Sequence, residues 1–464
     1  MQLLARVFVL AMLLQATAFS PQLYAQSTKA QNPASPKLPY EKAPTMEVLP
    51  NGITLIHKKT TANDIVSLAL VLEPGALFDD EDKPGLTSLM MRVITKGTER
   101  KNSFEIAEEL QENGLRLSVS PGYDFLSFSL QAVKTDFPKG MELLEEIMLT
   151  PTFPVPEIEL EKQRVLSEIR MREDRAPSSA MRRLREAMFS PSRYAKPLEG
   201  TEESLPLLTQ RDLVTTWKER LRPERMTISV VGNLDFAEIK ALVIKHFGKL
   251  ELVSAAKAKH GLSQYSAAKL ETVSRDVEQS FIAIGVRTCP TNHEDAAAVD
   301  VATALLGGGM SSRLFSRLRD ERGLAYSVGA QNGGHLGVGY MTLFIGTSPE
   351  KACESLNGLW SEAQELRETP VSADELERAK SYLLGGYLRG HEKNSSQAWY
   401  LARWHVLELG TEYDSLYPQQ VQAVTTRDVM RVANKYFVNP ATVLIHPNIS
   451  ELKCLNDPNA LISN

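Results

Sequence analysis

The sequence is poor in the residues that hold metals and cross-links. Three cysteines, Cys289, Cys353 and Cys454, stand among 464 residues. They are too few and too scattered for a disulfide framework, and no C-x-x-C pair offers a zinc or redox site. Eight histidines, at positions 57, 246, 260, 293, 335, 391, 405 and 446, never fall within five residues of one another. That spacing excludes a zinc site built from two histidines on one helical turn. Positive charge is not in excess, since 52 Lys and Arg against 57 Asp and Glu leave a formal charge of −5. Nothing in that balance invites nucleic acid or an anionic membrane. A G-x-S-x-G run for a serine hydrolase is also missing, and no segment beyond the N-terminus is long and apolar enough for a membrane span.

What is present begins with a secretory pattern. Arg6 is the only charge in residues 1–25, an apolar run extends from Val7 to Phe19, and Leu23-Tyr24-Ala25 ends in a small residue suited to cleavage. The run falls short of the roughly 20 residues that cross a bilayer; an uncleaved anchor is the other reading. Residues 26–44 read as a flexible leader rich in Pro, Ser, Ala and Gln. The expectation is an exported, periplasmic protein, soluble after signal cleavage.

The chain repeats itself. Glu112-Asn113-Gly114-Leu115-Arg116-Leu117-Ser118-Val119 matches Glu321-Arg322-Gly323-Leu324-Ala325-Tyr326-Ser327-Val328, and Arg211-Asp212-Leu213 matches Arg427-Asp428-Val429. Two matches in the same order at nearly the same offset indicate a tandem duplication. Each unit, of about 210 residues, shows clustered strand patterns followed by runs of helix. In the first half, Ile53–His57, Ser67–Leu72, Leu115–Val119 and Phe125–Ala132 read as strands, before helical spacing over Asp136–Met148, Glu157–Glu173 and Ser179–Met188. The second half repeats this order from Phe281–Val286 onward. This is an α+β pattern: two homologous lobes, 45–252 and 270–450, each a mainly antiparallel sheet packed with helices. An Ala-, Ser- and Lys-rich linker at 253–269 would join them into a clamshell, and a tail covers 451–464.

The run Gly85-Leu86-Thr87-Ser88-Leu89-Met90-Met91-Arg92-Val93-Ile94-Thr95-Lys96-Gly97-Thr98 resembles the first motif of the insulinase/pitrilysin (inverzincin) zinc peptidases, in the branch of the processing peptidases. That motif opens with Gly, closes with Gly-Thr and holds H-x-x-E-H, two zinc-binding His one turn apart with a Glu that activates water. Here the His, Glu and His positions hold Ser88, Met91 and Arg92. Ser is a weak zinc ligand, Met does not titrate, and Arg stays protonated and repels a cation. Glu161 and Glu168, two turns apart on one helix, match the family's supporting Glu and third ligand. The resemblance therefore implies no metal and no cofactor in this chain. A buried carboxylate needs a partner, so Arg92 facing Glu168 would fill the vacated cationic place. The other reading leaves Arg92 in solvent.

A second run, Gly307-Gly308-Gly309-Met310-Ser311-Ser312-Arg313-Leu314-Phe315 through Arg319 to Val328, resembles the family's C-terminal half-motif, where an Arg and a Tyr seven residues apart bind substrate. Arg319 and Tyr326 have that spacing. On spacing alone they suit a solvated helix end and a sheet edge. The resemblance makes them catalytic contributors that bind a peptide and steady charge on its scissile oxygen. Gly307, Gly308 and Gly309 are either a loop touching substrate or a tight turn between helices. They follow a helical pattern, so they are not a phosphate-binding loop.

In the resembled branch, one chain of a pair can bring H-x-x-E-H and the other the Arg/Tyr pair. The implied function is a non-catalytic subunit of an exported heteromeric zinc peptidase, inactive alone. A homologous H-x-x-E-H-bearing partner would carry the zinc, and an unfolded peptide would add as a strand along Leu117, Ser118, Val119 and Ser120. The alternative is a catalytically dead structural or assembly protein of the same fold.

Overall fold

A computed structural model describes residues 43–253 and 269–456. The expected signal, most of the leader, residues 254–268 of the linker and the end of the tail lie outside the described residues.

The first half runs β1 (Thr45–Val48), β2 (Thr54–Lys59), β3 (Ile65–Leu72), α1 (Leu86–Val93), α2 (Ser103–Glu112), β4 (Arg116–Ser120), β5 (Leu126–Val133), α3 (Phe137–Leu149), α4 (Val155–Asp174), α5 (Ala176–Phe189), α6 (Gln210–Arg220), β6 (Met226–Gly232) and α7 (Phe236–Phe247). The second half runs β7 (Lys269–Ser274), β8 (Ser280–Thr288), α8 (Ala296–Gly307), a π-helical segment (Leu314–Glu321), β9 (Ser327–His335), β10 (Val338–Thr347), α9 (Ala352–Glu368), α10 (Ala373–Gly390), α11 (Asn394–Val406), α12 (Tyr413–Ala423), α13 (Thr426–Tyr436) and β11 (Ala441–His446). The linker expected to reach residue 269 gives way there to the first residue of β7, which pairs with β11.

The duplication is explicit in the sheets. The first has strand order β1-β2-β6-β3-β5-β4 and the second β7-β11-β8-β10-β9. Apart from β1 the two orders correspond strand for strand. Each has one parallel pair, β2 with β6 and β7 with β11, and is otherwise antiparallel. The repeated Arg-Asp-Leu/Val step has a local cause. Asp212 and Asp428 close capping boxes with Thr209 and Thr425 at the starts of α6 and α13.

The central strands β3, β6, β8 and β11 are buried on both faces, which explains why they read as nearly continuous apolar runs. In β3, Leu68, Leu70 and Leu72 face the first half's own helices, while Ala69 and Val71 face the other way. That second face is covered by α11, a helix of the second half, through Ala398, Leu401, Ala402 and Val406. Reciprocally, α5 of the first half lays Ala180, Leu184, Met188 and Phe189 on Phe281, Ala283, Val443 and Ile445 of the second sheet. A Cβ on Gly285 would lie 2.4 Å from the Met188 sulfur, so only glycine admits this helix so closely. Each fully buried Leu or Val contributes about 1.5–3 kcal/mol. The two lobes are joined by more than the chain between them: the halves exchange equivalent helices.

Cys353 and Cys454 form a disulfide, with Cα atoms 5.6 Å apart. It ties the C-terminal segment to α9, and it corrects the expectation that the cysteines are too scattered to pair. Among the described residues no helix is long and apolar enough to cross a membrane.

Candidate functional site

The glycine-framed run folds as α1 and the turns around it. Gly85 sits at φ +91, and a Cβ there would come within 2.7 Å of the Glu199 carbonyl oxygen. At the other end, a Cβ on Gly97 would meet the Pro154 ring at 2.7 Å, and Thr98 donates to buried Glu146 at 2.6 Å. The helix start is held by buried Asp79, which accepts from the Thr87 amide at 3.0 Å and from its hydroxyl. Arg220 approaches the same carboxylate at 3.4 Å. The outer frame residues thus dock α1 between the 199–200 loop and the start of α4, whatever the residues inside it do.

Inside the frame, Ser88 and Met91 are buried against the first-half core. Arg92 reaches across to α4 and donates to Glu168 from both terminal guanidinium nitrogens, Nη2 at 2.7 Å and Nη1 at 3.2 Å. The Arg92 hydrogen bonds and charge hold the Glu168 carboxyl below its ordinary value. Glu161 is buried one helical stretch earlier, accepting from Arg164 at 2.6 Å with Arg92 and Lys96 each 3.9 Å away. Arg172 stands 3.7 Å from Glu168. Two carboxylates are therefore ringed by four cationic side chains. Beside Glu168, Ile169 and Arg172 open onto a cavity of about 860 Å³, whose far wall includes Tyr340 and Thr342 of the second sheet.

In the second half, Arg319 lies on the π-helical segment with its guanidinium 4.7 Å from the Phe315 ring centroid. It is exposed and makes no ion pair among the described residues. The segment itself is pinned by buried Arg313 to Glu375, at 2.5 Å, and by Arg317 to Glu362 and Glu365, at 2.7 and 2.6 Å. Gly323, at φ +60, ends it. Tyr326 follows with its amide donating to the Gly346 carbonyl at 2.9 Å and its ring 63% exposed. Gly307–Gly309 form the turn that ends α8. A Cβ on Gly307 would sit 1.9 Å from the Ala330 amide nitrogen, so the glycine lets α8 rest on β9. Leu117–Ser120 belong to β4, which pairs only with β5 and is the sheet's edge. No hydrogen bond or ion pair among the described residues joins the Arg92 group to the Arg319 group.

Residues 54–202 match the family model for insulinase, peptidase family M16, and residues 208–383 match that for the peptidase M16 inactive domain. The chain belongs to the insulinase family. It is 26% identical over 396 residues to an uncharacterized zinc protease of Mycobacterium bovis, covering 84% of this chain and 90% of that one. It is 24% identical over 410 residues to an uncharacterized zinc protease of Rickettsia felis, covering 86% and 97%. The fold is shared with a protease from Helicobacter pylori, at TM-score 0.81 and 22% identity, over 88% of this chain and all of that one. It is shared too with a peptidase M16 inactive domain from Pseudomonas fluorescens, at TM-score 0.82 and 20% identity, over 88% and 98%.

The insulinase family implies zinc, and the donor set here does not fit it. A guanidinium occupies Glu168, the carboxylate that the resemblance would make a ligand, with a bidentate pair, and Met91 offers no base. Among the described residues no group of three or more His, Cys, Asp and Glu could hold a metal. Sequence reasoning missed the Arg313–Arg317 anchoring of the Arg319 segment. The acidic residues that signal it, Glu362, Glu365 and Glu375, lie on two other helices far along the chain.

Proposed function

We propose that this insulinase-family chain is the non-catalytic subunit of an exported heteromeric zinc peptidase. A homologous partner bearing H-x-x-E-H would supply the zinc. This chain would supply Arg319 and Tyr326, in trans, to hold an extended peptide and stabilise charge developing on the scissile carbonyl oxygen. One contrast carries the reading. Arg92 closes the place of the family's metal by pairing with Glu168, while Arg319 and Tyr326 remain exposed on an anchored segment. A purely structural chain has no need to hold that Arg and Tyr ready for a ligand.

The edge of β4 supports the substrate assignment, because an unpaired strand edge can accept a peptide as an added strand. Export is supported by the secretory pattern of residues 1–25 and by the Cys353–Cys454 disulfide, a bond that persists in oxidising compartments.

The test is reconstitution. The purified chain alone should show no peptidase activity and no stoichiometric zinc, and a co-purifying H-x-x-E-H homologue should restore turnover. Within a verified complex, Arg319→Ala and Tyr326→Phe in this chain should each lower turnover about 10-fold or more. Unchanged turnover, or co-purification only with an unrelated assembly, refutes the role in trans.

A further inference from the structure

A second cavity, of about 230 Å³, lies wholly within the second lobe between α8, the far end of β9 and the helices α10 to α12. It is smaller than the roughly 300–1,000 Å³ that houses a drug-sized ligand, and so suits a small molecule and not a peptide segment. Its walls are unusually aromatic, with Tyr387, Tyr400, Trp404, Tyr413 and Tyr417 contributing. Tyr400 stacks on Trp404 at 5.5 Å, and Trp404 meets Tyr413 edge-on at 4.9 Å. These rings are braced from behind: the Trp404 indole donates to Asp414 at 3.1 Å, and Tyr387 donates to the Asp414 backbone carbonyl at 2.7 Å.

Two charged side chains open into this aromatic shell. The Arg403 guanidinium lies 5.0 Å from the Trp404 ring centroid and makes no hydrogen bond or ion pair among the described residues. Its five N–H donors are therefore available to a ligand. Burial pushes its pKa down, against the nearby negative charge of Asp300 and Asp124. Asp300 accepts one hydrogen bond on each oxygen, from Asn332 and from the Tyr417 hydroxyl, at 2.5 and 2.7 Å. A carboxylate has about four lone-pair sites, so each oxygen can accept again. Burial raises the Asp300 pKa. Both groups line one cavity, yet they do not approach within the 4.0 Å of an ion pair with each other.

A simple anion placed on Arg403 would be repelled by Asp300, and a simple cation on Asp300 would be repelled by Arg403. A molecule bearing both charges satisfies both at once, and the rings then receive its apolar part. We propose that this cavity binds a free α-amino acid with an apolar or aromatic side chain, its carboxylate on Arg403 and its ammonium on Asp300. The site involves neither Arg319 nor Tyr326 and does not depend on the subunit role.

Calorimetric titration of the purified full chain with L-leucine and L-phenylalanine tests it. At least one should bind saturably. N-acetyl-L-leucine, which lacks the ammonium, and L-leucine amide, which lacks the carboxylate, should each bind about tenfold or more weakly, because each leaves one buried charge unmet. Arg403→Gln should abolish binding, and Asp300→Asn should weaken it about tenfold. The blocked analogues need no substitution, so they decide the matter even if a variant folds poorly. No saturation by either amino acid at about 10 mM overturns the proposal. So does equal binding of a blocked analogue, or wild-type affinity in a folded Arg403→Gln protein.

Discussion

Arg92 and Glu168, 76 residues apart on α1 and α4, meet through two parallel hydrogen bonds. By the resemblance of residues 85–98 to the family's first motif, a metal-binding histidine would stand in place of that arginine. The substitution leaves no bare carboxylate behind, because the incoming guanidinium brings the positive charge that the lost ion would have brought. It also locks two helices whose relative placement the metal would otherwise help to set.

That pair should be measurable. Arg92→Met and Glu168→Gln, made singly and together, should yield a coupling of about 1 kcal/mol by urea unfolding at neutral pH, since both side chains are partly solvated. The Glu168 pKa is lowered below its ordinary 4.5. Its contribution is therefore complete above that value and is lost as pH falls through the lowered one. The coupling should vanish near about pH 2, and a coupling that persists there would contradict the ion-pair account.

Rebuilding the ligands asks whether only the ligands were lost. The combined change Ser88→His, Met91→Glu and Arg92→His should give a chain that retains about one zinc per molecule after dialysis, read by plasma emission. Adding Glu168→Gln should remove most of it. A rebuilt but folded chain without zinc would mean that α1 and α4 no longer stand at metal-binding distance.

Lys58 on β2 is buried beneath the second-half helix α11, and burial pushes its amine down from 10.5 to about 7. Between those values the unfolded chain binds a proton that the folded chain does not, so this residue makes stability rise with pH across that window. Lys58→Met should remove the rise. Melting curves from pH 7 to about 10 check this, and an unchanged rise in the variant would refute it.

The Cys353–Cys454 bond closes a loop across 101 positions. Cys454→Ser, or reductant, should cost about 2–4 kcal/mol of stability. Equal denaturant midpoints with and without reductant would show that the C-terminal segment is held by packing alone.

Much of this architecture was legible because the central strands of each sheet are buried on both faces. Leu68, Leu70 and Leu72 mark β3 by their spacing, and the Arg-Asp-Leu/Val repeat marks two equivalent helix starts. The Arg92–Glu168 pair was one of two readings the sequence left open. The charge argument favours a cation near that carboxylate, but an Arg on a helix can equally point to solvent; the structure takes the paired one. Other features leave no local trace. The π-helical segment Leu314–Glu321 carrying Arg319 differs from an α-helix in its hydrogen bonds, which leave no mark in the sequence. Cys353 and Cys454 are brought together only when the tail folds back on α9. The aromatic cavity around Arg403 gathers residues from six separate stretches, none of which forms a motif.

The exchange of α5 and α11 changes what the duplication means. A chain severed in the linker would yield two pieces, each a sheet with one greasy face stripped bare, the helix that fits it now belonging to a different molecule. The two halves are thus a pair of interlocked hands more than two hinged plates. Any relative motion of the lobes must leave those clasped helices engaged or bare two apolar sheet faces at once.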